Sequence, residues 1–147
     1  MNPFVWQARV YWEDTDAGGI VYYANYLRFL ERARSEWLRA RGVSQLALAC
    51  DPGLVFSVVA LEVQYRRPAR LDDMLSISCE PDWQGGATIA FAQRIWRDPA
   101  AAELLVTASV RVACLDAGTL KPRRLPPVKV RELSARAPGA AATPRSS

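Results

Sequence analysis

The longest periodic segment of the sequence runs from about Tyr22 to Arg41. Apolar residues recur there at steps of three and four, while charged and small polar residues fall on the opposite side. Gly42 follows as a natural helix stop, and Arg39 and Arg41 suit the negative carboxyl end of a helix dipole. The pattern therefore predicts one long amphipathic helix.

Strand-like segments lie on both sides of this helix. Residues 4 to 13 are rich in aromatic and β-branched side chains, which favour a first strand. After the helix, apolar and polar residues alternate at residues 54 to 67, 74 to 80, 87 to 97 and 104 to 114. In the second strand, one apolar face is predicted to consist of Val55, Val59, Leu61, Val63 and Tyr65. In the last strand, one apolar face is predicted to consist of Leu104, Val106, Ala108, Val110, Val112 and Cys114.

This order of elements limits the fold. A single long helix offers only one crossover connection, which is too few for a parallel sheet. We therefore expect an α+β fold in which a curved, antiparallel β-sheet buries the apolar stripe of the helix on its concave face. A chain of 147 residues suits one domain. We assign residues 1 to 133 to that domain and the Ala-, Pro- and Ser-rich residues 134 to 147 to a flexible tail.

Composition is typical of a soluble globular protein, since half of the residues are hydrophobic and 23% are charged. No apolar run approaches the roughly 18 to 20 residues that span a bilayer, so no membrane insertion is expected. Met1 to Trp12 lacks the features of a secretory signal, which favours the cytoplasm. Three cysteines lie far apart, so we expect reduced thiols, at least two of them in strands, at Cys50, Cys79 and Cys114.

Histidine is absent from the sequence. Its absence excludes Ser-His-Asp and Cys-His nucleophiles, HExxH metalloenzymes and hydratases that depend on a histidine base. Any chemistry must therefore use carboxylates, backbone amides, tyrosines or cations.

Carboxylates, glycines and the start of the helix meet in one segment, residues 13 to 25. The amino end of a helix leaves N–H groups unpaired and carries a partial positive charge, so it can bind a carbonyl oxygen that becomes negative. Asp16 precedes that end, separated from it by Ala17, Gly18 and Gly19. Without histidine, Asp16 would either attack a substrate carbonyl directly or draw a proton from water, and both routes suit a thioester.

Two other interpretations of these acids stay open. Aspartate is a common turn and helix-capping residue, so Asp14 or Asp16 could serve the structure alone. Glu13, Asp14 and Asp16 could also bind a metal, but the segment lacks the further ligands of a calcium loop. No metal site is therefore predicted.

Basic residues cluster between positions 121 and 131 with no acid among them, at Lys121, Arg123, Arg124, Lys129 and Arg131. Such a cluster could contact phosphate or form a solvated basic surface. A nucleic-acid-binding domain would also need exposed aromatic side chains. We expect no nucleic-acid partner, because burial is predicted for Trp6, Trp12, Trp37 and Trp96.

Three stretches of the sequence resemble a known family. Residues 11 to 27 read YWEDTDAGGIVYYANYL, and ERAR follows at residues 31 to 34. Residues 65 to 73 read YRRPARLDD, and residues 120 to 126 read LKPRRLP. These stretches resemble the hotdog-fold acyl-CoA thioesterases of the 4-hydroxybenzoyl-CoA thioesterase family, and most of all its Tol-Pal system-associated branch.

The resemblance implies a hotdog subunit, in which five antiparallel strands wrap the helix, with acyl-CoA as substrate and no cofactor. It also implies a homodimer through the sheet edges, or a homotetramer of two such dimers, with active sites at the dimer interface. Asp16 falls on the family's catalytic aspartate, and Tyr23 falls where a helix-terminal amide polarises the thioester carbonyl. Other residues of the motif are expected to bind substrate, namely Gly18, Gly19, Ile20, Tyr22 and Tyr26.

Coenzyme A carries a 3′-phosphate and a pyrophosphate, so basic residues become candidate ligands. Arg66 and Arg123 are the predicted contacts. Four further cations of the same stretches fit as well by sequence, namely Arg67, Arg70, Lys121 and Arg124. Some of these could instead pair with Asp72, Asp73 or neighbouring acids.

Tyr23 marks a difference within the family. Many members of the Tol-Pal-associated branch carry a histidine at this position, whereas the hydroxybenzoyl-CoA enzymes carry a tyrosine. An unperturbed phenol has a pKa of about 10, so Tyr23 should contribute its backbone N–H, with its ring lining an acyl pocket or packing as core. We therefore predict an acyl-CoA thioesterase whose acyl group stays open. The alternative is a non-catalytic acyl-CoA-binding or scaffold protein of the Tol-Pal system, which the presence of Asp16 and both glycines opposes.

Overall fold

The computed structural model describes residues 4 to 98 and 103 to 134. Its strands are β1 (Phe4–Arg9), β2 (Leu54–Tyr65), β3 (Met74–Gly85), β4 (Thr88–Asp98) and β5 (Glu103–Asp116). Its helices are α1 (Tyr26–Ala40), α2 (Gln45–Cys50) and α3 (Pro127–Ser134). The tail predicted for residues 134 to 147 lies outside the described residues, except for Ser134 at the end of α3.

The predicted long helix is confirmed. A 3-10 turn at Tyr23–Asn25 leads into α1, whose apolar side is buried. At the other end, Gly42 takes a φ of +76°, a left-handed value that favours glycine. The Gly42 N–H donates to the Arg39 carbonyl at 2.9 Å, and the Val43 N–H donates to the Leu38 carbonyl at 3.0 Å. These two bonds form a Schellman cap, which pairs carbonyls that the helix itself leaves open.

The five strands form one antiparallel sheet in the order β1-β3-β4-β5-β2. Helix α1 packs against β1 and β3, and the two buried clusters lie between helices and sheet. One cluster includes Phe29, Leu30 and Ile77, and the other includes Trp37 and Phe91. The predicted α+β hotdog arrangement is therefore confirmed. Strand β2 forms one edge of the sheet, so one side of its backbone faces no other described strand.

A bulge in β2 corrects its predicted apolar face. The register of the β2–β5 ladder shifts between Val58 and Ala60, so Val59 has no partner across the ladder. Val55 consequently lies on the opposite face from Leu61, although alternation places the two together. A bulge is set by the fit between two strands, which is why the pattern of one strand does not reveal it.

A second bulge corrects the last strand. Ile95 of β4 pairs with Val106, and Trp96 pairs with Leu104, so Leu105 is the extra residue in β5. Leu105 is fully buried, whereas Leu104 is only half-buried. The predicted face therefore begins at Val106, and Leu105 takes the core position expected of Leu104.

The first strand is shorter than predicted, and Trp12 is not buried. After β1 the chain passes through a 3-10 turn at Trp12–Asp14. The Asp14 carboxylate accepts a hydrogen bond from the Tyr11 N–H at 2.8 Å, which stabilises that turn in place of further strand. Trp12 is consequently 83% exposed, whereas Trp37 is buried as predicted.

Two short helices complete the chain. Ser44 caps α2, since its hydroxyl accepts a hydrogen bond from the Ala47 N–H at 3.2 Å. Helix α3, which no sequence pattern indicated, buries Leu133, and the Leu133 carbonyl accepts a bond from Arg41 Nε at 2.9 Å. None of the described helices has the length and apolar character needed to cross a membrane. The cysteines are free thiols, as predicted, at Cys50, Cys79 and Cys114.

Candidate active site

Asp14 builds the loop that precedes the helix. Its side chain is buried, and its carboxylate accepts the bond from the Tyr11 N–H. Its backbone carbonyl accepts bonds from the Tyr22 N–H at 3.1 Å and from the Asn25 side-chain amide at 2.9 Å. One residue thus joins the first 3-10 turn to the turn that starts the helix. The capping role left open for Asp14 is the role that the structure shows.

Asp16 stands on the same loop with an exposed side chain. Its Oδ1 atom accepts a hydrogen bond from the Gly18 N–H at 2.8 Å. The Asp16 N–H donates to the Ile20 carbonyl at 2.8 Å, and the Gly19 N–H donates to the Asp16 carbonyl at 3.0 Å, which closes a tight hairpin. Within residues 4 to 98 and 103 to 134, no donor reaches Oδ2. One oxygen is therefore anchored, and the other is available to a substrate.

The two glycines of the hairpin are required for different reasons. Gly19 has a φ of +80°, a left-handed conformation that strains other residues. A Cβ added at Gly18 would lie 3.3 Å from Asp16 Oδ1, so a side chain there would crowd the anchored oxygen. The first glycine keeps room for the carboxylate, and the second allows the chain to turn back.

The geometry of this loop does not favour a metal site. Asp14 and Asp16 each direct one carboxylate oxygen at a backbone N–H rather than at a common point. Among the residues that the structure describes, no three His, Cys, Asp or Glu side chains are grouped so that they could hold a metal ion.

The 3-10 turn at Tyr23–Asn25 supplies an unpaired amide beside the loop. The Tyr22 N–H is bonded to Asp14, and the Asn25 N–H donates to the Tyr22 carbonyl at 2.8 Å. Tyr23 opens the turn, and its N–H has no acceptor in the described part of the chain. An amide at this position is a donor for an incoming oxygen, because the first N–H groups of a helix lack partners within it.

Tyrosine rings surround the start of the helix. The ring of Tyr23 is 61% exposed and lies 4.9 Å from the ring of Tyr22, so it does not pack as core. Tyr26 is buried, and burial raises the pKa of its phenol above the usual value. Its hydroxyl oxygen accepts a bond from the Ala69 N–H at 3.0 Å. Tyr26 thus fastens α1 to the loop before β3, and substrate contact through Tyr26 stays a prediction.

The two arginines predicted to bind phosphate lie far apart. Arg66 follows Tyr65 at the end of β2 and donates to Gln64 Oε1 at 2.9 Å. Arg123 Nη1 contacts the Pro52 carbonyl at 3.0 Å and Asp116 Oδ1 at 3.1 Å, beside the start of β2. At about 3.3 Å per residue, the length of β2 separates them by roughly 35 Å. Within one chain, Arg66 is therefore near the helix start and Arg123 is not.

The other candidate cations differ in their pairing. Arg67 forms an ion pair with Glu103 at 3.5 Å, so one of its nitrogens is already in use. Asp73 contacts Arg97 and accepts a bond from the Arg70 N–H at 2.8 Å. In the described part of the chain, the side chains of Arg70, Lys121 and Arg124 form no ion pair. These three remain available to an anionic ligand.

A cavity that no sequence pattern indicated opens between α1 and the strands β2, β4 and β5. Its volume is about 140 Å³. Aromatic and aliphatic side chains line it, including Trp37, Phe56 and Phe91. Arg34 also lines it and donates to Gln93 Oε1 at 3.0 Å, and burial lowers the pKa of this guanidinium. Packing of distant strands forms this cavity, so local periodicity does not report it.

Comparison with known proteins decides the family. The profile described as "Thioesterase superfamily" matches residues 18 to 103, which begin at Gly18 within the hairpin and include all of α1. The chain belongs to the thioesterase superfamily. It is accordingly an enzyme that hydrolyses thioesters, and the predicted family resemblance is confirmed.

Two similar thioesterases match this chain over most of their own length. The acyl-CoA thioesterase YbgC of Haemophilus influenzae is 46% identical over 125 residues, which cover 85% of this chain and 90% of that protein. The acyl-CoA thioester hydrolase YbgC of Escherichia coli O157:H7 is 49% identical over 123 residues, which cover 84% and 90%.

Solved thioesterase structures support the fold. A probable thioesterase from Bartonella henselae has a TM-score of 0.78 and 41% identity, covering 85% of this chain and 100% of that one. A 1,4-dihydroxy-2-naphthoyl-CoA thioesterase from Synechocystis has a TM-score of 0.82 and 21% identity, covering 90% and 96%. The second likeness speaks for the fold alone.

Proposed function

We propose that this thioesterase hydrolyses acyl-coenzyme A thioesters with the Asp16 carboxylate and the Tyr23 N–H. The arrangement of Asp16 carries the proposal, because Gly18 anchors Oδ1 while Oδ2 has no donor among the described residues. A carboxylate held by one oxygen has a fixed direction and keeps a basic, nucleophilic atom. The names of the YbgC relatives support acyl-CoA as the substrate class.

In the proposed reaction, the thioester carbonyl oxygen accepts a hydrogen bond from the Tyr23 N–H. Negative charge that develops on this oxygen is stabilised by the amide and by the helix dipole behind it. When the carbon–sulfur bond breaks, the sulfur leaves as the coenzyme A thiolate with its electron pair. A thiolate is a weak base, so its departure needs little help from an acid, which suits a chain without histidine.

Asp16 can act by two routes. As nucleophile, Oδ2 bonds to the carbonyl carbon, the thiolate leaves, and water then hydrolyses the mixed anhydride. As general base, Oδ2 takes a proton from water, whose oxygen bonds to the carbon instead. Rapid acid quench followed by mass spectrometry separates the routes, because only the first leaves the acyl group on Asp16.

Pairing of two copies through β2 would complete the phosphate contacts. β2 exposes apolar side chains along the sheet edge, including Val59, Leu61 and Tyr65. Antiparallel pairing centred on this strand would bring the start of one β2 toward the end of the other. Arg123 of the second copy would then approach the helix start of the first, where Arg66 already lies. A homodimer is therefore the proposed unit, with dimers of dimers as a further possibility of assembly.

The experiment is release of free thiol from a panel of acyl-CoA thioesters, with Asp16→Asn as the variant. We expect kcat/KM to fall by about a hundredfold or more, because the amide cannot attack or accept the proton. Glu13→Gln is the matched control, since Glu13 is an exposed acid of the same loop, and its kcat/KM should stay within about twofold.

A wild-type protein that binds acyl-CoA but releases no thiol from any member of the panel would overturn the proposal and favour the scaffold alternative. Equal activity of Asp16→Asn and Glu13→Gln would remove Asp16 from the mechanism while leaving hydrolysis in place. The order of kcat/KM across aliphatic and aromatic thioesters would identify the preferred acyl group.

A further inference from the structure

Tyr65 joins the edge strand to the turn that starts the helix. It is the last residue of β2, and its hydroxyl donates a hydrogen bond to the Tyr23 carbonyl at 3.1 Å. Its ring meets the Tyr23 ring edge to face at 6.2 Å and lies 5.4 Å from the ring of Tyr26. Tyr65 of β2 thus contacts both the 3-10 turn, through Tyr23, and α1, through Tyr26, next to the residue whose N–H is unpaired.

The turn needs such support. A 3-10 turn has poorer hydrogen-bond geometry than an α-helix, and this one is three residues long. The Asp14 carbonyl holds it by accepting bonds from the Tyr22 N–H and the Asn25 side chain. The Tyr65 hydroxyl adds a bond to the carbonyl of Tyr23, the residue whose N–H is unpaired. The two contacts together limit rotation of the Tyr23 peptide groups.

The phenol of Tyr65 is suited to donate this bond. Partial burial raises its pKa above the usual value, and the neighbouring Tyr23 phenol acts in the same direction. Tyr65 therefore keeps its proton throughout the neutral range and remains a donor to the carbonyl. The contact does not depend on pH where the enzyme would work.

We propose that Tyr65 is a positioning residue for thioester hydrolysis, which keeps the Tyr23 N–H aimed at the thioester oxygen. The inference rests on the proposed function, because it assumes that this amide binds the oxygen. Tyr65 itself supplies no atom to the reaction. It acts through the 3-10 turn, and it makes the edge strand β2 part of the support of the site.

Positioning of an oxyanion donor has a kinetic consequence. A misdirected N–H loses more interaction with the negative oxygen of the transition state than with the neutral carbonyl of the substrate. Loss of the Tyr65 bond should therefore lower kcat and leave KM nearly unchanged. A net contribution of about 0.5–1.5 kcal/mol for one hydrogen bond corresponds to a loss of roughly two- to twelvefold in kcat.

The test compares Tyr65→Phe with Tyr11→Phe. The first variant removes only the hydroxyl and retains both ring contacts. The second removes the hydroxyl of an exposed tyrosine that makes no side-chain hydrogen bond in the described part of the chain. We expect kcat of Tyr65→Phe to fall within the stated range with KM within about twofold, and both constants of Tyr11→Phe to stay at the wild-type values.

Amide hydrogen exchange supplies a readout that does not depend on activity. Residues 22 to 26 should exchange faster in Tyr65→Phe than in the wild type, while exchange in β3 and β4 stays the same. Unchanged exchange of this segment, or a rise in KM without a fall in kcat, would overturn the inference.

The outcomes also separate this inference from the proposed function. If the wild type is active, Asp16→Asn is inactive and Tyr65→Phe behaves as the wild type, only the positioning role fails. If the wild type hydrolyses no acyl-CoA thioester, the proposed function fails and the positioning role fails with it.

Discussion

The two ends of α1 treat their backbone groups in opposite ways. At the carboxyl end, the carbonyls of Leu38 and Arg39 are paired by the Schellman cap, and Arg41 lies 4.5 Å above the ring of Trp37. At the amino end, in the 3-10 turn that leads into α1, the Tyr23 N–H has no acceptor among the described residues, and the Tyr23 side chain is exposed. One end of the helix is closed by the chain itself, and the other is open to a ligand.

The difference shows that one end of this helix serves the stability of the fold and the other serves function. The closed end gains hydrogen bonds and buried area, which lower the free energy of the folded state. The open end gives up such bonds and keeps a donor and a carboxylate ready for a substrate. Substitutions at the closed end should therefore change stability, and those at the open end should change activity.

Trp37→Ala should give the largest effect on the closed end. Trp37 is fully buried and meets Phe91 edge to face at 5.2 Å, so its loss leaves a cavity beside the Arg41 guanidinium. We expect the free energy of unfolding in urea to fall by about 3–5 kcal/mol. Tyr22→Ala, at the open end, should lower it by less than about 1 kcal/mol. Equal losses from the two variants would erase the distinction between the ends.

Tyr23→Pro should give the largest effect on the open end. Proline lacks the N–H but suits the first position of a helical turn, and Tyr22 already has φ −62° and ψ 132°, which a following proline favours. We expect kcat to fall by about a hundredfold or more, because an oxyanion donor is lost. Tyr23→Phe, which keeps the N–H, should retain kcat within about twofold. A large loss in Tyr23→Phe would show that the phenol takes part.

Gly19→Ala and Gly42→Ala form the finest comparison. The two glycines have nearly equal φ angles, +80° and +76°, and an added Cβ meets nothing within 4 Å at either site. Each substitution should therefore lower stability by about 1–2 kcal/mol. Only Gly19→Ala should also lower kcat/KM, by about tenfold or more, because it shifts the hairpin that holds Asp16. Assays of both variants below their melting temperatures would reveal any loss of activity in Gly42→Ala.

Much of the fold could be read from the sequence because its signals are local. The period of the segment from Tyr22 to Arg41 and the stop at Gly42 belong to neighbouring residues, and both are found in α1. The bulges at Val59 and Leu105 depend on the partner strand, so alternation within one strand misplaced Val55 and Leu104. Exposure of Trp12 likewise follows from the turn that Asp14 stabilises, and the strand-like composition of this segment does not indicate that turn.

The site could be predicted only in part, for a similar reason. Asp16 and Tyr23 share one short segment, so sequence places them together. The surroundings of Arg123 come from Pro52 and Gly53, about seventy residues earlier, and Tyr65 reaches Tyr23 across 42 positions. Contacts of this range leave no periodic signal, so the sequence does not reveal the contact of Tyr65 with Tyr23 or the cavity beside α1.

The division of work between Asp14 and Asp16 has a consequence for redesign. Asp14 fixes the loop through hydrogen bonds with Tyr11, Tyr22 and Asn25, and none of these bonds involves the Asp16 carboxylate. Exchange of the side chain at position 16 removes the bond from the Gly18 N–H to Oδ1, but it leaves these contacts and the two backbone hydrogen bonds of the hairpin in place. A new nucleophile placed there, such as cysteine or serine, would inherit an oriented amide donor, and the loop offers a ready platform for engineering other acyl-transfer reactions.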